Sequence, residues 1–290
     1  MTDSGVARLA VARPTGVDIE ASNLVFVYPD GTRALDGVSL RFAPGELVAI
    51  VGQNGSGKST LVRHFNGLLR PTAGDVRVAG RSVAGRHVAE LARIVAIAFQ
   101  NPDRQIFSGR VRTEVAFGAR NMGLSGSVLE RQTEAALTAV GLTAHIDANP
   151  YDLGYSRRKL LTLASVLAMN TPVVVLDEPT TGQDARGVAR IEQVVAELSA
   201  AGRTVIAISH DMRFVAETFA RVVVMGAGRI LLDGTAAEVF GEAAWPTLAS
   251  TYLEPPLAAR VGARLGLGST PTEAGLVETL ANRSSGILPT

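Results

Sequence analysis

The chain has no cysteine in its 290 residues. That excludes disulfides, thiolate metal sites and a cysteine nucleophile. Its formal net charge is only +1, so it lacks the polycation character of a general nucleic-acid binder. Long apolar runs are also missing. Leu160–Met169 gives way to Asn170-Thr171-Pro172, and Val173–Leu176 runs into Asp177-Glu178. Neither stretch reaches the roughly 18 residues that a bilayer span needs. Residues Met1 to Pro14 carry arginines but no sustained apolar stretch, so no signal peptide is expected. Internal repeats and low-complexity segments are absent. What is present is 47% hydrophobic residues, enough for a substantial core. A soluble protein is expected, one still free to dock on a membrane protein.

Residues 52–60 read GQNGSGKST. They fit the phosphate-binding pattern G-x-x-x-x-G-K-[ST], with Gly52, Gly57, Lys58 and Ser59 at the fixed places. Leu47–Val51 before it is a short apolar run of strand type, and Leu61–Phe65 after it can begin a helix. Gly55 and Gly57 let the backbone curl into a nest of N–H groups, joined by Asn54, Ser56 and Thr60. The helix N-terminus adds partial positive charge. Lys58 can then reach the β and γ phosphates of a nucleotide, and Ser59 can ligate Mg²⁺.

Ile19–Tyr28 and Ala34–Phe42 read as two strands joined by Pro29-Asp30-Gly31-Thr32. Asp75–Val78 and Ser82–Val83 flank Gly80 as short strands. Apolar strands Ile94–Phe99, Val173–Leu176, Thr204–Ile208 and Arg221–Met225 alternate with helical patterns at Val128–Val140, Arg157–Met169 and Ala185–Ala200. A turn at Gly226–Gly228 leads into Arg229–Leu232. Such alternation predicts a parallel α/β core, and ligands bind outside the carboxyl ends of its strands. Three candidate groups fall at such ends: the glycine-rich loop, Asp177-Glu178 and His210.

A buried strand delivering Asp177 beside the phosphate loop places it on Mg²⁺, directly or through water. Glu178 could then polarise an attacking water. His210 could contact the γ-phosphate region, although a lone histidine is by itself more readily structural. Gln100 closes its strand and is either a weak, movable Mg²⁺ ligand or a surface amide. Tyr28 could stack on a purine or simply be a turn aromatic. His64, His87 and His145 have no partner at metal-ligand spacing and read as structural.

The order of these motifs resembles the ATP-binding subunits of ABC transporters, over roughly Ile19 to Phe240. Tyr28 matches the adenine-stacking aromatic, GQNGSGKST the Walker A motif and Gln100 the Q-loop. Asp177-Glu178 match Walker B with its catalytic glutamate, Thr181-Gly182-Gln183-Asp184 the D-loop and His210 the switch histidine. The resemblance implies a P-loop NTPase (RecA-like) core over residues 17–240, with an N-terminal antiparallel β subdomain and a helical subdomain at about 101–158. A helical C-terminal extension would occupy 241–290, and residues 1–16 and Asn282–Thr290 are expected to be flexible. It also implies ATP and Mg²⁺ as cofactors, and two ATPase subunits facing head to tail. Phe99–Leu124 and Tyr252–Leu267 are similar to segments of energy-coupling factor transporters. These use two ATPases, a transmembrane coupling protein and a substrate-binding membrane protein to import vitamins or transition-metal ions, with the ATPases on the cytoplasmic face of the membrane. Within this family the catalytic set would be Glu178, His210, Lys58 and Gln100.

One departure stands out. The family's LSGGQ signature aligns with Leu153-Gly154-Tyr155-Ser156-Arg157. Gly154 replaces the serine that donates to the γ-phosphate across the dimer, Tyr155 adds bulk, and Ser156 and Arg157 replace the second glycine and the glutamine. A heterodimer with a second ATPase carrying an intact signature is therefore expected. Two other readings are a soluble ABC ATPase working on nucleic acid, opposed by the near-neutral charge, and a non-enzymatic regulator, opposed by Lys58 and Glu178.

Overall fold

The structure is a computed structural model and describes residues 15–284. The flexible ends expected from sequence lie largely outside the described residues. Of the remainder, Gly16 donates its N–H to the Gly202 carbonyl at 2.7 Å, and Asn282–Ser284 close the last helix.

The strands are β1 (Ile19–Val27), β2 (Arg33–Phe42), β3 (Leu47–Val51), β4 (Ala73–Val78), β5 (Arg81–Ser82), β6 (Val95–Ala98), β7 (Val173–Asp177), β8 (Thr204–Ile208), β9 (Arg221–Gly226) and β10 (Arg229–Thr235). The helices begin with α1 (Lys58–Phe65), α2 (Val88–Leu91), α3 (Val111–Asn121), α4 (Gly126–Ala139) and α5 (Tyr155–Met169). They continue with α6 (Ala185–Ala200), α7 (Met212–Thr218), α8 (Ala236–Val239), α9 (Trp245–Ser250), α10 (Leu257–Arg264) and α11 (Glu273–Ser284).

Strands β2, β1, β4 and β5 form an antiparallel sheet in that order. The larger sheet runs β10-β9-β3-β8-β7-β6, parallel except for the edge strand β10. This is the expected parallel α/β core. It puts β3 beside β8 and β8 beside β7, so the ends of the three strands that carry the candidate groups are neighbours.

Side chains alternate across a pleated strand, so each central strand feeds two cores. Val48 and Ile50 of β3, Val173 and Val175 of β7, and Ile206 and Ile208 of β8 join the core shared with α1 and the antiparallel sheet. Ala49, Val51, Val174, Leu176, Val205 and Ala207 join the core shared with α3 to α6. Strands buried on both faces read as continuous apolar runs, which is why these were visible in the sequence. The same pleat puts Asp177 on the side of Val173 and Val175, facing α1.

Several boundaries differ from the sequence reading. β1 stops at Val27, because Tyr28 already opens a turn: its N–H donates to the Thr32 carbonyl, and its own carbonyl accepts from Gly31. β5 covers Arg81–Ser82 rather than Ser82–Val83. β10 extends three residues beyond Leu232, and Asp233, Gly234 and Thr235 pair with Val223, Val222 and Arg221 of β9. Helix α5 starts at Tyr155 instead of Arg157, with Gly154 in extended conformation at its N-cap, so Tyr155 and Ser156 belong to its first turn. The short helix α7 was not foreseen; Asp211 caps it by accepting from the Phe214 N–H.

Candidate active site

The phosphate loop requires glycine where the backbone leaves ordinary space. Gly52 has φ 152° and Gly57 has φ 100°. A Cβ on Gly52 would overlap the Met225 carbonyl oxygen, and one on Gly57 the Ala34 carbonyl. Helix α1 then begins at Lys58 with no side-chain cap and no acidic residue in its first turn, leaving its N–H groups available to an anion. Lys58 is buried and donates to the Gly52 carbonyl at 2.7 Å, the Gln53 carbonyl at 2.9 Å and Ser56 Oγ at 3.3 Å. Burial lowers its pKa, opposed by the charges of Glu178 and Asp177.

Asp177 closes β7 and accepts a hydrogen bond from Ser59 Oγ at 3.2 Å on Oδ1. Burial raises its pKa, while the Ser59 hydrogen bond and nearby cationic side chains oppose the rise. Glu178 follows in left-handed backbone, φ 53°, with its N–H on the Ile208 carbonyl at 2.9 Å. Its Oε2 accepts from Thr181 Oγ1 and from the His210 N–H, each at 3.3 Å. Oε1 lies 3.1 Å from His210 Nε2 but outside hydrogen-bond geometry, and this buried oxygen has no hydrogen-bond partner among the described residues. Burial pushes the Glu178 carboxyl up to about 6, aided by the Asp177 charge and opposed by the His210 N–H. Burial and the Lys58 charge hold His210 below its usual value.

These groups line a cavity of about 360 Å³. Tyr28, Asn54 through Thr60, Gln100, Asp177, Glu178 and His210 all face it, so every expected cis residue except Gly52 is gathered there. Gly52 sits behind the loop as the acceptor for Lys58. The Tyr28 hydroxyl is hydrogen-bonded to Thr60 Oγ1 at 2.9 Å and its ring meets Phe26 edge-on. Thr32, Arg33, Ala34 and Ile208 also line the cavity and were not foreseen. Arg33 follows directly on the Pro29–Thr32 turn, the only local hint to it. Thr181, expected only as part of the D-loop, bonds the Glu178 carboxylate, and Lys159, on the Glu178 backbone, was missed.

The arrangement fits a nucleoside triphosphate and a hard divalent cation. Open N–H groups and a buried ammonium suit the phosphates. Ser59 Oγ and Asp177 Oδ1 lie side by side, Gln100 lines the same cavity, and Mg²⁺ takes only a few protein oxygens and completes its shell from water and phosphate. A dedicated cluster of three or more His, Cys, Asp or Glu is absent among the described residues. His64 is buried, with Nδ1 2.8 Å from the Thr60 carbonyl and its ring edge-on to Phe26, in keeping with a structural role.

Gly154, Tyr155, Ser156 and Arg157 do not face this cavity. They form the start of α5, whose N-terminal N–H groups carry no side-chain cap. Ser156 Oγ donates to Gln183 Oε1 at 2.8 Å, and Gln183 Nε2 returns a bond to the Ser156 carbonyl at 3.1 Å. The half-exposed Tyr155 ring lies over Gly182, where a Cβ would come 2.7 Å from Tyr155 Cε1. Asp184 is the N-cap of α6 and accepts from the Gly187 N–H at 2.8 Å. A second depression, about 730 Å³, is lined by Arg63, Leu68, Leu69, Phe99, Gln100, Asn101, Asp103, Arg104 and Tyr155. Gln100 borders both.

The family model for ABC transporters matches residues 35–181. The energy-coupling factor transporter ATP-binding protein EcfA of Methanocaldococcus jannaschii is 41% identical over 226 residues, covering 77% of this chain and 81% of the relative. A putative ABC transporter ATP-binding protein of Caldanaerobacter subterraneus is 40% identical over 250 residues, but this chain spans only 44% of its length. Among solved structures, cbiO1 from Clostridium perfringens, part of the ABC transporter complex cbiONQ, superimposes with TM-score 0.71 at 33% identity. The match covers 86% of this chain and 98% of that one. A dimeric bacterial ABC transporter cassette at 24% identity, TM-score 0.70, shares the fold. The chain belongs to the ABC transporter family, as an ATP-binding, ATP-hydrolysing subunit of the energy-coupling factor kind.

Proposed function

We propose that this chain is one of two different ATPase subunits of an energy-coupling factor importer. ATP with Mg²⁺ would bind in the cavity around Lys58, and hydrolysis there would be efficient. The observation that carries the reading is the contrast within one chain. The groups around Lys58, Asp177, Glu178 and His210 are all present in one cavity, whereas the start of α5 offers no serine hydroxyl at Gly154 and spends that of Ser156 on Gln183.

The chemistry follows from the geometry. Lys58 and the first N–H groups of α1 would hold the β and γ phosphates, while Ser59, Asp177 and Gln100 would hold Mg²⁺, which neutralises phosphate charge when bound. Tyr28 would face the base. Glu178 Oε1 is the free acceptor for a proton of the attacking water, and Thr181 and the His210 N–H fix its other oxygen. A carboxyl raised to about 6 is a stronger base than an exposed one and is still ionised at pH 7. His210 would orient that carboxylate through its backbone N–H, with the neutral imidazole beside Oε1.

Among the described residues no helix is long and apolar enough to cross a membrane. Attachment as a peripheral subunit on the cytoplasmic face would run through a transmembrane coupling protein and, with it, a substrate-binding membrane protein. The groove beside Gln100 supports this. Leu68 in its lining is exposed, Gln100 lines both it and the nucleotide cavity, and Phe107 before α3 and Phe117 on α3 are exposed and meet edge-on. The carried substrate, a vitamin or a transition-metal ion, would be chosen by the membrane partner.

The test is to purify the complex from membranes through a tag on this chain and identify its subunits. Glu178→Gln should then cost the complex more turnover than the equivalent change in the partner ATPase. Recovery of this chain alone as a fast ATPase, or equal losses from the two changes, would refute the asymmetric reading.

A further inference from the structure

Lys159 lies on α5, the helix whose start faces away from the chain's own nucleotide cavity. Its side chain is buried, only 5% exposed, and its ammonium donates to the Glu178 backbone carbonyl. It makes no ion pair with the Asp177 or Glu178 carboxylate among the described residues, although both charges act on it. Burying an ammonium is costly, and an apolar side chain of the same length would fill the space without that cost. The group it holds is unusual too. Glu178 has a Cβ and yet sits at φ 53°, a region unfavourable to residues other than glycine that persists only where the surroundings impose it. Its N–H is fixed by the Ile208 carbonyl. The Lys159 ammonium is a charged clamp on the opposite end of the same residue.

We propose that Lys159 is a positioning residue for hydrolysis: by gripping the Glu178 carbonyl it holds the backbone turn that aims the Glu178 carboxylate at the attacking water. Pro179 fixes only its own φ; without the clamp the ψ of Glu178 is held less firmly, and the Glu178 carboxylate shifts from its place beside His210. The same contact ties two parts of the chain together. Neighbouring residues of α5 reach the loops on either side: Ser156 bonds Gln183, and Arg158 pairs with Asp103 at 3.3 Å. A displacement of α5 at the dimer interface is thereby delivered to the chain's own base.

The inference rests on Glu178 being the base, and the experiment separates the two claims. The complex is assembled with Lys159→Met, Lys159→Arg or Glu178→Gln in this chain, and kcat, KM for ATP and melting temperature are measured for each, with the partner's catalytic glutamate inactivated. Met keeps the unbranched shape of lysine up to its last atom and removes the donor; Arg keeps donor and charge. Lys159→Met is expected to lower kcat at least tenfold with KM within twofold of the parent, and Lys159→Arg to recover kcat to within threefold. Should Met lower the melting temperature by several degrees, Lys159→Gln takes its place. Gln is polar and uncharged, its amide ends one bond short of the lysine nitrogen, and it is expected to show the same split. Parent turnover in the Met variant, equal losses in Met and Arg, or a KM rise that accounts for the loss overturns the role of Lys159. Normal turnover in Glu178→Gln instead overturns the base assignment beneath it.

Discussion

Restoring a serine at Gly154 is the sharpest probe of the departed signature. Gly154 has φ −61° and ψ 159°, an ordinary extended conformation, and a Cβ there meets nothing within 4 Å. Serine therefore enters without strain. It also caps α5, which has no side-chain cap at present, for a few tenths of a kcal/mol over glycine, or about 1 °C in melting temperature for a chain of this size. Its effect across the dimer should be far larger. One well-placed donor at a charged transition state is worth about 2.7–4 kcal/mol, so the upper bound on the gain is roughly 10² to 10³ in turnover. Tyr155 stands next to it, half-exposed over Gly182, and its bulk could keep a partner's phosphate at a distance. The assay uses the co-purified complex with Glu178→Gln in this chain, which silences its own cavity and leaves turnover only where its signature meets the partner. Gly154→Ser should raise that residual ATPase at least tenfold, either alone or once Tyr155→Gly is added. If the melting temperature rises by the small amount expected and the residual ATPase moves in neither variant, α5 does not serve the partner's phosphate and the asymmetry argument fails.

Lys58→Ala should weaken Mg²⁺-ATP binding at least tenfold by calorimetry, since the ammonium supplies charge-assisted bonds worth about 1.5–3 kcal/mol each; undiminished affinity would remove Lys58 from the phosphate site. Arg221→Leu should lower the melting temperature by about 5–10 °C. The Arg221 guanidinium bonds Asp233 twice at 2.6 Å, the Arg41 carbonyl at 2.8 Å and Glu46, knitting β9 to β10 and to the antiparallel sheet, and it is three-quarters buried. A shift under 2 °C would show that the network contributes little.

Much of the site was legible because its parts are local. Gly52, Gly57, Lys58 and Ser59 are fixed by one loop, and Asp177-Glu178 by a strand that is apolar up to its last turn of sequence. The parallel core was legible for a related reason: strands buried on both faces have no polar interruptions. What escaped depends on distant contacts. Lys159 follows Arg157 and Arg158 on α5, and no residue near it in sequence points to its partner, the Glu178 carbonyl. The start of α5 was placed late for a similar reason. The sequence reading began it at Arg157, whereas the extended Gly154 starts the helix at Tyr155. The pairing of Ser156 with Gln183, 27 positions on, has no local trace at all.

The place of β3 in the sheet has a consequence for biosynthesis. It carries the phosphate loop, yet its neighbours are β8 and β9: Val48 pairs with Ile206 and with Arg221, about 160 and 170 positions later. A nascent chain that already contains the whole loop has no sheet on which to seat it. At ribosomal speeds of about 5–20 residues per second, the strand waits roughly 10–30 s for its partners. Contacts so distant along the chain also form slowly once available. During that interval Leu47–Val51 is an unpaired, fully apolar edge, the kind of segment that chaperones bind and that aggregates when they are scarce. Nucleotide binding is thus acquired late in the life of the polypeptide, and fragments ending before β9 are expected to be clients of the folding machinery and not small ATPases.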